Sequence, residues 1–201
     1  MEIENREKWL ENKIVKERLK EVWMNEGEYF QACFDEIIIV LQQHKKKYGL
    51  EIFEDSRFIT RRYKDMIGAH GIGKTAINIG MISEKALVNK SKKIRPVKDH
   101  VFGYITIART IINAFLKSDL FNDKNWLEKY LHLWVIIHVT KEEHHRENIK
   151  RSNQLSNANL DYKTKKKMNH YTKVSKLLLD KNYKYRQTNM EYKKKVIARV
   201  K

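Results

Sequence analysis

One proline and seven glycines in 201 residues leave the chain few places where a helix must stop. Proline removes a backbone donor and clashes with the preceding turn, and glycine loses the most backbone freedom on ordering, so their scarcity predicts long helices. The apolar spacing agrees. Trp9, Leu10, Ile14, Val15, Leu19, Val22 and Trp23 recur at helical intervals over residues 5–26. Gly27 interrupts the pattern, and residues 29–47 resume it with Phe30, Cys33, Phe34, Ile37, Ile38 and Leu41 as far as Gly49. The expectation is an antiparallel helical hairpin whose aromatic stripe is core. Residues 55–66 predict a further helical stretch, and residues 105–116 a buried helix.

Two segments depart from the helical period. Residues 93–101 are short, carry the only proline, and read as a strand. Residues 131–140 alternate, with Leu131, Leu133, Val135, Ile137 and Val139 on one face and His132, Trp134, Ile136, His138 and Thr140 on the other. Thr140 followed by Glu143 is a capping box, so a helix is expected from Lys141. Residues 152–159 read as a polar linker, and the basic stretch beyond them as helical. The expected fold class is α+β, mainly α. Its parts are a helical region 1–92, a strand–strand–helix unit 93–150 and a basic helical tail 151–201.

Charge narrows the function. The chain has 42 Lys+Arg against 25 Asp+Glu, for a net +17. Residues 1–30 are slightly acidic, whereas residues 161–201 hold 12 Lys and 2 Arg against 3 acids, a net of +11. Such a block marks a polyanion partner, most often nucleic acid. The DNA-contacting candidates are Lys163, Lys165, Lys166, Lys167, Lys173, Lys184, Arg186, Lys193, Lys194 and Lys195. Tyr162, Tyr171, Tyr183, Tyr185 and Tyr192 interleave with them, able to pack on sugars or bond phosphates. A single cysteine excludes a disulfide framework and a thiolate zinc knuckle. No apolar run is long enough to span a bilayer, and the polar N-terminus shows no secretory signal, so an intracellular protein with no membrane partner is expected.

Two motifs compete for the chemistry. Residues 68–75, ending in Gly73, Lys74 and Thr75, fit the phosphate-loop pattern G-x4-G-K-[ST]. That loop needs a buried strand before it and a helix after it, and the preceding residues 57–67 carry five charges. A glycine-rich turn opening a helix is the better expectation. The second motif is Asp99-His100 at a strand end, followed by a strand and a capped helix bearing His144 and Asn148 at i, i+4. Asp99 suits a divalent metal, His100 faces the other way and suits a general base, and His144 with Asn148 closes the same metal site.

K-D-H-V-F and V-T-K-E-E-H-H-R-E-N, in that order, resemble the two ends of an HNH (ββα-metal) nuclease motif of the cysteine-free type. The likeness covers residues 93–150. It implies a DNA endonuclease, restriction, homing or phage- or mobile-element-encoded, that hydrolyses phosphodiesters with one Mg2+ or Mn2+. In that reading His100 is the base, and Asp99, His144 and Asn148 hold the metal. The family's central Asn, which fixes the ring of the base, has no direct counterpart; Asn125 and His132 stand in its interval. Residues 105–116 must then be an insertion between the halves. Two other classes stand beside it, a non-catalytic nucleic-acid-binding protein and a phosphate-loop nucleotide binder. A dimer is compatible with the nuclease reading, but the sequence does not set the oligomeric state.

Overall fold

Helix α1 (Lys13–Tyr48) runs for 36 residues, straight through Gly27. Asn12 opens it, its Oδ1 accepting the N–H groups of Ile14 (2.9 Å) and Val15 (3.4 Å). Gly49, at φ +76°, ends it by donating its N–H to the Lys45 carbonyl (3.0 Å). The expected hairpin is therefore one helix. A Cβ on Gly27 would lie 2.9 Å from the Trp23 indole, so the glycine is a seat for that ring and not a break.

The structure, a computed structural model, describes residues 9–53, 59–69, 76–116, 126–144 and 176–200. After α1 come a 3-10 turn (Glu51–Phe53) and a π-helical segment (Ile59–Ala69). Strand β1 (Ile77–Ser83) leads into α2 (Glu84–Ser91) and β2 (Val97–His100). Next are α3 (Tyr104–Leu116), the short α4 (Trp126–Tyr130) and a 3-10 turn (Leu131–Trp134). The described chain closes with β3 (Val135–Val139), a helical turn at 141–144, β4 (Leu177–Leu179) and α5 (Met190–Val200). The protein is α+β, mainly α.

These elements sort into two units. Among the described residues, the sheet unit draws on 9–19, 77–102, 135–144 and 176–185, and the helical unit on the rest. Both units are woven from separate stretches of sequence. Residues 103–134, which contain α3 and α4, interrupt the sheet unit's sequence between β2 and β3 and belong to the helical unit.

The sheet has the order β2-β3-β1-β4. β2 and β3 pair antiparallel with Asp99 opposite Ile137, β1 and β3 pair parallel, and β4 pairs antiparallel with β1. β3 is central, and its alternation is incomplete: Val135, Ile136, Ile137 and Val139 are all buried. The strand expected over 131–140 is shorter at its start, because Leu131–Trp134 coils into a 3-10 turn. Opposite β3, β1 kinks at Gly80 (φ +76°), where the register slips between Asn78 and Met81. A Cβ there would meet Arg18 Nη1 at 2.6 Å and the Tyr183 ring at 2.7 Å. Arg18 fills that space, donating to the Ile79 and Asp180 carbonyls (2.6 and 3.0 Å) and lying over the Tyr183 ring.

In the helical unit the core is aromatic. Phe34 meets Trp126 and Trp134 edge-on at ring separations of 5.0 and 5.8 Å, and Phe53 stacks on Tyr63. The Trp134 indole N–H donates to the Ile67 carbonyl (3.0 Å) of the π-helical segment. The tail is not helical throughout: 177–179 is a strand, 183–189 has no regular structure, and helix returns only at Met190.

Candidate functional site

The sheet unit builds its site from three local devices. Strand pairing holds β2 against β3, with Lys98, Asp99 and His100 opposite His138, Ile137 and Ile136. Thr140 then starts a helical turn through the expected capping box. The Glu143 N–H donates to Thr140 Oγ1 (3.2 Å), and the Thr140 N–H donates to Glu143 Oε2 (2.9 Å). Ser83, at the end of β1, ties both to the sheet. Its hydroxyl donates to Glu143 Oε2 (2.7 Å) while accepting the Ala86 N–H (3.1 Å) as N-cap of α2. Ser83 and Glu143 are both buried, and sequence reasoning gives neither a part in the site. The only sequence signal is the capping box itself.

This frame fixes His144, the residue after Glu143, whose N–H donates to the Thr140 carbonyl (3.0 Å). Its ring reaches Asp99, with Nδ1 3.4 Å from Oδ2. Asp99 is almost fully enclosed, its side chain 5% exposed, while the His144 side chain keeps 32% of its surface. Asp99 Oδ1 accepts the His100 N–H (2.9 Å), locking the carboxylate to the backbone of its neighbour. Strand alternation sends the His100 side chain to the opposite face from Asp99.

The Asp99–His144 pair has the chemistry and the spacing of two metal ligands. A separation of 3.4 Å exceeds the usual N–H···O hydrogen bond. Two donors about 2.1 Å from one cation stand about 3.0 Å apart at a right angle and about 3.4 Å apart at the tetrahedral angle. One carboxylate oxygen and one imidazole nitrogen therefore fit neighbouring positions around a small divalent ion. Among the described residues no group of three or more His, Cys, Asp or Glu side chains gathers for a metal. Asn148, the third candidate ligand, lies outside the described residues, as do Asn125 and Lys163 to Lys173 of the tail.

Other candidates fall elsewhere. His132 sits in the 3-10 turn of the helical unit, not in the strand that pairs with β2. Gly73, Lys74 and Thr75 lie outside the described residues, and their surroundings reverse the phosphate-loop order. A helical segment precedes them and strand β1 follows. Gly68 has its own reason: a Cβ there would lie 2.6 Å from the Tyr104 backbone, so α3 packs directly against it.

Lys193, one of the candidate DNA contacts, is not on the surface. It is buried in the helical unit, with Nζ 3.0 Å from Glu26 Oε1 and donating to the Asn25 carbonyl (3.0 Å). Lys184, Arg186, Lys194 and Lys195 remain exposed. Near β2, burial pushes the pKa of His138 below its ordinary 6.5, and the charges of Lys98 and Lys90 push it the same way, against a smaller opposing pull from Asp180.

No protein-family model matches the chain, and no curated protein or solved structure matches it. No helix among the described residues is long and apolar enough to cross a membrane.

Proposed function

We propose that the protein is a metal-dependent DNA endonuclease of the HNH type. One observation carries the reading: two antiparallel strands and the helical turn after them bring Asp99 to 3.4 Å from His144. Asp99 and His144 would hold Mg2+ or Mn2+, with Asn148 as a third ligand. Bound there, the ion would supply positive charge to the phosphate and to the leaving oxygen. The chain's own groups do the rest. His100 takes a proton from the attacking water. Asp99 fixes the backbone of that base through the His100 N–H, and Ser83, Thr140 and Glu143 hold the turn that carries His144. Basic side chains hold the polyanion.

The test is conversion of supercoiled plasmid to nicked or linear DNA. The reading expects cutting that requires Mg2+ or Mn2+, stops with EDTA and fails in Asp99→Ala and His144→Ala. DNA binding without cutting under any divalent ion would make the Asp99–His144 contact an ordinary ion pair.

A further inference from the structure

The sequence points to the tail as the polyanion contact, but a second basic element lies beside the site itself. Residues 90–98 hold Lys90, Lys92, Lys93, Arg95 and Lys98 with no acid among them, and all five are exposed. Lys90 is answered by Asp180 at 2.7 Å. Among the described residues no carboxylate pairs with the other four.

This turn has a defined shape. The N–H groups of Lys92 and Ile94 donate to the Asn89 carbonyl (3.0 and 2.9 Å), and that of Lys93 donates to the Lys90 carbonyl (3.0 Å). Lys93 takes φ +62°, a left-handed position just past a helix end where glycine fits without strain. A lysine there places a charge at the tip of the turn against backbone preference. The turn runs directly into β2, an edge strand of the sheet, whose next residue after Lys98 is Asp99. Lys98 faces His138 across the β2–β3 pair.

We infer that the 90–98 turn is a nucleic-acid backbone clamp, with Lys92, Lys93, Arg95 and Lys98 contacting phosphates of the strand that enters the Asp99–His144 site. The choice of nucleic acid as ligand rests on the nuclease reading. The contacts are to phosphate, so the clamp carries no sequence preference.

The experiment measures fluorescence anisotropy of a labelled DNA duplex with full-length protein in EDTA, over a range of salt. Binding is thereby read without cleavage. Lys92→Gln/Lys93→Gln/Arg95→Gln should weaken binding to unrelated duplexes alike. It should also flatten the slope of log affinity against log salt by about 2 to 3, at roughly 0.9 for each phosphate the variant no longer neutralises. The matching all-arginine variant, Lys92→Arg/Lys93→Arg, should keep the wild-type slope. It controls for disturbance of the turn. An unchanged slope in the triple glutamine variant overturns the clamp. So does a triple variant that loses binding to phosphatidylserine vesicles while keeping DNA, which would make the turn a lipid contact. A flattened slope in a protein that cuts no DNA upholds the clamp and overturns the nuclease reading alone.

Discussion

Two pairings of a carboxylate with a basic side chain, Glu26–Lys193 in the helical unit and Asp99–His144 in the sheet unit, are built to opposite specifications. In the helical unit Glu26 meets Lys193 at 3.0 Å, with side chains 1% and 5% exposed. Glu26 Oε1 also accepts the Thr188 N–H (2.8 Å), and Lys193 also serves the Asn25 carbonyl. That pair is sealed and bonded on several sides, and it joins α1 to the start of α5. In the sheet unit Asp99 is as deeply enclosed, but its partner His144 is a third exposed and stands at 3.4 Å. A sealed pair with short bonds holds structure. An enclosed carboxylate facing a partly exposed imidazole is the arrangement the proposed metal site would use. The difference lies in access and distance, not in charge.

If that contrast is right, the sheet unit's site should fail in activity and the helical unit's pair in stability. His100→Ala should lower the plasmid-cutting rate by about 10²–10⁴, the usual worth of a general base, and leave the unfolding midpoint and duplex affinity near wild type. A variant that cuts at the wild-type rate removes His100 from the chemistry. Asp99→Ala and His144→Ala should behave alike, with partial recovery at high Mn2+, because each removes one ligand of few.

The sealed pair should respond in folding instead. Lys193→Met leaves a buried carboxylate without its counter-charge and should cost about 3–5 kcal/mol in urea unfolding. Glu26→Gln/Lys193→Met removes the charge while keeping an acceptor for the Thr188 N–H, and should recover much of that loss. If Lys193→Met is as stable as wild type but binds DNA less tightly, the contrast between the two pairs fails. The same logic revises the tail: deleting 161–201 removes β4 and Lys193, so it should unfold the protein and not merely weaken binding.

How much of this could be read from the residues alone depends on how local each feature is. The capping box, the helix at 105–116 and the strand containing Asp99 follow from spacing within short windows, whereas the meeting of Asp99 with His144 is expected only from a resemblance between two separate segments and one motif. What escaped was set by contacts between distant segments. β1 holds a kinking glycine and β4 is three residues long, so neither has a strand's periodic signal, and each is a strand because its neighbours pair with it. Gly27 is the local exception: it looks like a stop until the ring of Trp23, one helical turn earlier, is seen lying on it. Lys193 sits in a run of lysines, and no count of charge reveals that Glu26 awaits it. The glycine at position 68 imitates a phosphate loop for a packing reason. Chemistry written in adjacent residues is legible; chemistry cancelled by a remote partner is not.

A milder change probes the frame under the open pair. Thr140→Ala removes the hydroxyl that accepts the Glu143 N–H and should cost about 1 kcal/mol of stability, as lost N-caps do. Because that turn positions His144, the variant should also need more Mn2+ for half-maximal cutting. A stability loss with an unchanged Mn2+ requirement would mean the cap supports the fold but not the ligand.

The smallest effect is a pH dependence that contrasts two histidines of the same unit. His144 faces a carboxylate, whereas His138 faces lysines: burial, Lys98 and Lys90 all hold its pKa below the ordinary 6.5, and Asp180 only partly opposes them. The folded chain thus binds a proton at His138 less readily than the unfolded chain does. Linkage then fixes the sign. The contribution of His138 to stability is complete above pH 6.5 and is lost as the pH falls from there through the lowered folded value, below which it stays lost. The slope within that window is at most about 1.4 kcal/mol per pH unit. Asp180 acts on the same acid side, at lower pH. Burial raises its pKa, but the Lys90 and Asn182 hydrogen bonds and the Lys90 and Arg18 charges outweigh that and set it below 3.8, so its loss belongs to stronger acid. Urea unfolding of the wild type and of His138→Gln across about pH 5 to 8 isolates the histidine. The difference between the two curves should narrow toward the acid end of that range and be flat at its alkaline end. A difference that widens as the solution is acidified would mean His138 is stabilised by its proton, and would place a carboxylate, not lysines, in control of that face of the sheet.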